Sequence, residues 1–213
     1  MGNRAIIKPK NKNIGVYLHW NGGIDSVEAF LEYCKLKGHR SFTDSYGVAR
    51  FCQVVGNYFG GSCSIGIETE VYSLEHYVNE MCLDNGLYVV DGWEIVERVC
   101  PSDGREGYDR TEMLIAIDEA QPANERLGPD FFNSELVKTS DIKVGDRVVV
   151  FDNLDCIYTT HTVVGIGQNE YRNGTNVLGM PYVNKHLNEG RYDLNINNYI
   201  TGEEIRRLKN ENI

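Results

Sequence analysis

The chain of 213 residues has room for one large domain or two small ones, and for a core that needs no staples. Hydrophobic residues at 41% and charged residues at 24% exclude a disordered or fibrous chain. With 21 Lys and Arg against 31 Asp and Glu, the net charge of −10 argues against a nucleic-acid coat protein or a polybasic membrane binder.

No run of ~18 apolar residues is present, so no membrane-spanning helix is expected. Met1 to Asn13 is polar and basic, with Arg4, Lys8, Lys10 and Lys12 and no apolar centre, so no signal peptide is expected. The six cysteines (Cys34, Cys52, Cys63, Cys82, Cys100, Cys156) are widely and irregularly spaced and form no CxxC pair. They are expected to be reduced, mostly buried thiols of a cytoplasmic protein. The histidines, His19, His39, His76, His161 and His186, form no paired ligand spacing, so no metal site is assigned.

GVYLHW, from Gly15 to Trp20, predicts a strand that ends in the Asn21-Gly22-Gly23 turn. A helix follows, with Asp25 as cap and Glu28 completing a capping box. Val27, Phe30, Leu31 and Cys34 form its apolar stripe, and Gly38 ends it. A second helix is predicted from Asp44 or Ser45 to Tyr58, with Gly60-Gly61 as its stop. Ser62 to Glu68 reads as a short strand, and Leu74 to Leu83 as a short helix. LYVV and WEIVERV, joined by Asp91-Gly92, predict a hairpin. In its second arm Trp93, Ile95 and Glu97 are expected to share a face. Thr111 to Glu119 predicts a helix ended by Pro122.

Residues 121–134 hold Pro and Gly without periodicity and read as a linker or domain edge. RVVVF and THTVVGI then predict two strands around a Lys-Val-Gly-Asp turn. The Asn- and Tyr-rich stretch after Gly167 extends the sheet or packs as a loop, and GEEIRRLKN reads as a short helix or tail. The expected fold class is α+β. An acidic domain over 1–125 has about three helices on a small, mostly antiparallel sheet. A β-rich, small barrel-like module with an Asn- and Tyr-rich tail follows over 126–213.

Four features are candidates for function. The first is the strand–turn–helix junction: Asn21, Gly22, Gly23 and Ser26 stand where free N–H groups and a helix dipole can meet an anion. NGGIDS is similar to the SGGxDS pyrophosphate loop of the PP-loop ATP pyrophosphatases, with Asn21 in place of serine. That resemblance implies nucleotide binding, but the family's βαβ alternation is missing here, and a structural turn with a helix cap explains the same residues. The second is His19 with Asp25 and Glu68, which together could run acid–base cleavage of a phosphodiester; only this reading calls for a divalent metal.

The third is the acidic stretch. Between Glu68 and Glu119 fourteen acids stand against Arg98, Arg105 and Arg110, net −11. Such a surface can mimic a phosphate backbone and occupy a basic groove, with Glu70, Glu75, Glu80, Asp84, Glu94 and Glu97 as contacts. The bland alternative is a solvated acidic face. The fourth is the C-terminal interleaving of Tyr, Asn and basic residues, with Tyr182 and Arg191 as contacts to RNA or protein. Equally, its tyrosines could fill a small core.

The pattern GVYLHWNGGxDSVxAFLxYCKLKG…DSYGVARFCQVVGNYFGG, over roughly Gly15 to Ile67, resembles small uncharacterised proteins of phages and mobile elements in Gram-positive bacteria. That resemblance implies an anti-defence role of the anti-CRISPR kind: binding and inhibition of a host defence ribonucleoprotein or nucleic-acid enzyme in the host cytoplasm. The alternatives are a small nuclease cleaving guide or other RNA, and a nucleotide-binding protein. No cofactor and no oligomeric state is assigned.

Overall fold

The computed structural model describes residues 3–61, 64–69, 84–99, 105–152, 157–167, 171–172, 175–176, 179–189, 192–199 and 204–209. The fold is α+β, with two mostly antiparallel sheets. The chain divides into two compact units, Met1–Ala123 and Asn124–Ile213.

The first unit is built on a five-stranded sheet. Its strands are β1 (Ala5–Pro9), β2 (Ile14–Leu18), β3 (Ile65–Thr69), β4 (Leu87–Asp91) and β5 (Glu94–Val99), in the order β3-β2-β1-β4-β5. β1 pairs parallel with β4, and the other neighbours are antiparallel. The central strand β1 comes from the segment that the sequence marked only as polar and basic. Ala5, Ile6 and Ile7 are all fully buried. A strand buried on both faces shows an apolar run in place of alternation, and here Arg4 and Lys8 flank that short run. One sheet face carries Ile7, Val16, Leu18, Tyr88 and Val90. On the other, Ile6 and Leu87 pack with Tyr17 and Val99.

Among the described residues three helices join this sheet: α1 (Ile24–Leu36), α2 (Ser45–Tyr58) and α3 (Arg110–Glu119). α1 packs against both α2 and α3. The apolar stripe of α1 is buried as its spacing required, with Val27, Phe30 and Cys34 fully covered. Asp44 caps α2 by accepting from the Tyr46 N–H, and Asp109 caps α3 by accepting from the Glu112 N–H. Within the core, the Tyr33 hydroxyl of α1 donates to Asp118 Oδ1 of α3 at 2.7 Å, with both side chains buried. Tyr33→Phe removes that charge-assisted donor. The variant is expected to lose about 1–3 kcal/mol, read as a lower urea midpoint.

The predicted helix Leu74–Leu83 lies outside the described residues. Of the cysteines, Cys34 and Cys52 are described, and both are free thiols. Burial pushes the Cys34 thiol up, so it stays protonated.

The hairpin differs from expectation in two details. Asp91 pairs with Glu94, so the two turn residues are Gly92 and Trp93, not Asp91 and Gly92. Gly92 takes φ of +66°, which puts positive φ at the first central position, where glycine is favoured. A register shift between Val89 and Val90 leaves Val96 as the extra residue, because Ile95 faces Val90 and Glu97 faces Val89. The bulge therefore puts Ile95 and Glu97 on opposite faces.

The second unit holds a six-stranded antiparallel sheet in the order β12-β11-β8-β7-β13-β6. Its strands are β6 (Ser134–Lys138), β7 (Arg147–Asp152), β8 (Ile157–Ile166), β11 (Pro181–Glu189), β12 (Tyr192–Tyr199) and β13 (Glu204–Leu208); β9 (Tyr171–Arg172) and β10 (Thr175–Asn176) form a separate pair. Among the described residues β12 and β6 are its unpaired edges, so the barrel-like expectation gives way to an open sheet. Ile142, Val148, Val163, Val183 and Ile205 form its core. GEEIRRLKN is neither helix nor tail: β13 lies between β7 and β6. The segment read as a linker or domain edge holds the boundary between the two units, with a 3₁₀ turn at Ala123–Glu125 and the short helix α4 (Pro129–Phe132). Phe131 of α4 is buried beneath the Arg206 guanidinium, 3.9 Å from its ring centre.

Candidate functional site

The junction of β2 and α1 is held by backbone. The Gly22 N–H donates to Asn3 O at 2.8 Å, and the Asn3 N–H to His19 O at 3.1 Å. The Tyr88 hydroxyl reaches Gly22 O at 2.9 Å. A Cβ on Gly22 would stand 2.7 Å from both Ala5 Cβ and Asn3 O, so glycine is required by the approach of β1. Asn21 adopts φ of +53°, the left-handed region that Asn tolerates best after glycine.

Gly23, not Asp25, is the N-cap of α1. Asp25 sits in the first turn and is 8% exposed. Its Oδ2 accepts from three consecutive backbone N–H groups, of Glu106 at 2.9 Å, Gly107 at 2.8 Å and Tyr108 at 3.2 Å. Its Oδ1 accepts from the Ser26 N–H at 3.1 Å. Burial pushes this carboxyl up, but the four N–H donors outweigh it and hold Asp25 below the usual carboxylate range. Glu28, expected to close a capping box, pairs instead with Arg110 of α3.

Glu106 completes the arrangement and had no signal in the sequence beyond being an acid in a polar loop. Its Oε2 accepts from the buried Ser26 hydroxyl at 3.2 Å, and its Oε1 accepts from the Asn3 amide. The Asn21 amide reaches the same Ser26 hydroxyl at 3.4 Å. Burial and then the Glu106 charge push the hydroxyls of Tyr58 and Tyr108 up, so both stay protonated. Two carboxylates of the chain itself, Asp25 and Glu106, thus stand at the start of α1, which the sequence offered both as an anion site and as a structural turn.

His19 and Glu68 do not join this group. The His19 N–H bonds Ser64 O, whereas Glu68 pairs with Gly15 at the far end of β2. Four residues of extended chain separate the two positions by roughly 13 Å. The His19 ring accepts or donates at Nδ1 with the Tyr17 hydroxyl, 2.9 Å away, and stands edge-on to Trp20. Among the described residues no group of three or more His, Cys, Asp or Glu side chains gathers to hold a metal.

No family model, curated protein or solved structure matches the chain.

The acids of the hairpin make a second candidate. Asp91, Glu94 and Glu97 are exposed, beside Val96 at 51% exposure. Asp91 is paired with Lys10 and Glu94 with Lys35, both in open solvent. Asp84 is held below the usual carboxylate range by its hydrogen bond to Arg4. Surface pairs of this kind hold the fold weakly and can be exchanged for a partner's cations. Glu70, Glu75, Glu80 and Arg191 lie outside the described residues. Tyr182 is half-buried over Gly165, where a Cβ would come within 2.3 Å of its hydroxyl, so its ring fills a glycine gap in the sheet. Among the described residues no helix is long and apolar enough to cross a membrane.

Proposed function

We propose that this chain is a mobile-element anti-defence protein that works by binding. It inhibits a host nucleic-acid-handling complex in the cytoplasm, with the acidic surface of its N-terminal unit set into a Lys- and Arg-lined groove. The observation that supports this reading is the hairpin, whose Asp91, Glu94 and Glu97 carboxylates are exposed beside an exposed valine. Exposed acids around an apolar contact are the composition of an interface that steers and then docks.

The nuclease alternative gains no support. Asp25 is committed to four backbone donors, and His19 and Glu68 stand at opposite ends of a strand pair. A base must be within hydrogen-bond reach of the proton it takes.

The test is charge reversal. Asp91→Lys, Glu94→Lys and Glu97→Lys together replace exposed side chains and are expected to leave the fold intact. Inhibition of a guide-loaded CRISPR effector should weaken roughly tenfold to a hundredfold, and its dependence on salt should flatten. Inhibition equal to that of the unaltered protein would contradict the reading.

A further inference from the structure

A groove of about 560 Å³ opens in the N-terminal unit between α1, the hairpin turn and the start of α3. Leu31 and Ile95 give it apolar walls, and Trp93 lines it from the turn. The indole is fixed in place. Its Nε1 donates to His39 O at 3.1 Å, and its ring centre lies 5.9 Å from that of Phe42.

Three carboxylates and two cations also line this groove. Glu28 takes a hydrogen bond from Arg110 Nη2, and Glu94 takes one from Lys35 Nζ at 2.6 Å. Glu32 is left over. It stands 3.6 Å from Arg110 Nη1, beyond hydrogen-bond contact in this geometry, and that nitrogen itself has no hydrogen-bond partner. Among the described residues the Glu32 carboxylate, 43% exposed, has this ion pair but no hydrogen bond, so it can take a donor from outside. The Lys35–Glu94 pair is 61% and 70% exposed, so it costs little to open.

We propose that this groove seats a guanidinium, the side chain of an arginine on the partner protein. This rests on the reading of the chain as an inhibitor that meets a basic surface. A planar guanidinium can lie over the indole and give paired N–H donors to Glu32 and Glu94. A lysine ammonium offers a compact, strongly hydrated charge and stacks less well. A phosphate would meet three carboxylates against two cations, a lining of net negative charge. Paired tryptophan and arginine in a walled pocket are also the residue types that dominate interface energies.

The experiment is an NMR titration of the full chain with N-acetyl-arginine amide, with the lysine and norleucine analogues as controls. The readout is the indole N–H signals of Trp93 and Trp20, told apart by a Trp20→Phe variant. The arginine probe should move the Trp93 signal and leave Trp20 in place, with the lysine analogue weaker and norleucine silent. Glu32→Gln with Glu94→Gln should weaken the arginine probe roughly tenfold. An unmoved Trp93 signal, or equal response to all three probes, would overturn the proposal. The inhibition assay separates the two readings. A chain that binds the probe here but inhibits no guide-loaded effector refutes the inhibitor and leaves the groove. A chain whose inhibition survives Glu32→Gln with Glu94→Gln refutes the groove as the partner's seat.

Discussion

Asp25→Ala lowers the stability of the N-terminal unit by about 3 kcal/mol and frees the loop that holds Glu106, Gly107 and Tyr108. The carboxylate is 8% exposed and accepts from four backbone N–H groups, three of them consecutive in that loop. Hydrogen bonds to a charged acceptor are the strong ones, and their loss leaves partly buried donors to find water. The melting temperature should fall by roughly 8–12 °C. Amide exchange at Glu106, Gly107 and Tyr108 should rise far more than exchange in α2.

The same residue sets a pH dependence. Its folded pKa is depressed, so its contribution is complete above the unfolded value of about 3.9 and fades as pH falls through the folded one. Asp25→Asn keeps the size and loses the charge. Urea denaturation of both proteins should show the widest gap at neutral pH. The gap should narrow below about pH 4. A gap that stays constant into acid would show that the carboxylate is not the group holding the loop.

Gly22→Ala is the second large effect. The new Cβ would lie 2.7 Å from Asn3 O and Ala5 Cβ and 2.8 Å from Ala5 N. Two of these three atoms are backbone of the central strand segment, so the contact cannot be relieved by a rotamer change. β1 pairs on both sides, with β2 and β4, and displacing its start strains both ladders. A loss of about 2–4 kcal/mol is expected, read as an early unfolding midpoint of the first unit. Gly38→Ala is the matched control: nothing lies within 4 Å of its Cβ, though its φ of +67° adds a smaller backbone cost. If Gly22→Ala is no worse than Gly38→Ala, the close packing at the junction is wrong. Loss of ligand binding on substitution at Gly22 would therefore say little about nucleotides, because the fold itself needs that glycine.

The legible parts of the fold were those carried by local pattern. The stripe Val27, Phe30, Leu31 and Cys34 marked α1, and Asp44 marked the start of α2. The Asp-Gly signal placed the hairpin but missed the turn by one residue, because Asp91 continues the strand and Gly92 supplies the positive φ. What stayed hidden is non-local. β1 is three buried residues between charges, and its partners lie on β2 and, about 80 residues on, β4. β13 carries two consecutive arginines, Arg206 and Arg207, between its buried Ile205 and Leu208, so a strand inside the sheet looked like a charged tail. At the junction, Gly22 and Gly23 announced a tight turn. Nothing local could announce that Glu106, 80 positions from Ser26, would fill the start of α1.

The central claim is that the chain acts by binding and not by chemistry. The most direct measurement titrates it against a guide-loaded CRISPR effector cutting plasmid DNA, with magnesium present, while labelled guide RNA is followed on the same gel. The account predicts that cutting stops near equimolar protein, with guide and plasmid intact. Degradation of either nucleic acid by catalytic amounts of the protein, or unimpaired cutting at large excess, would contradict it.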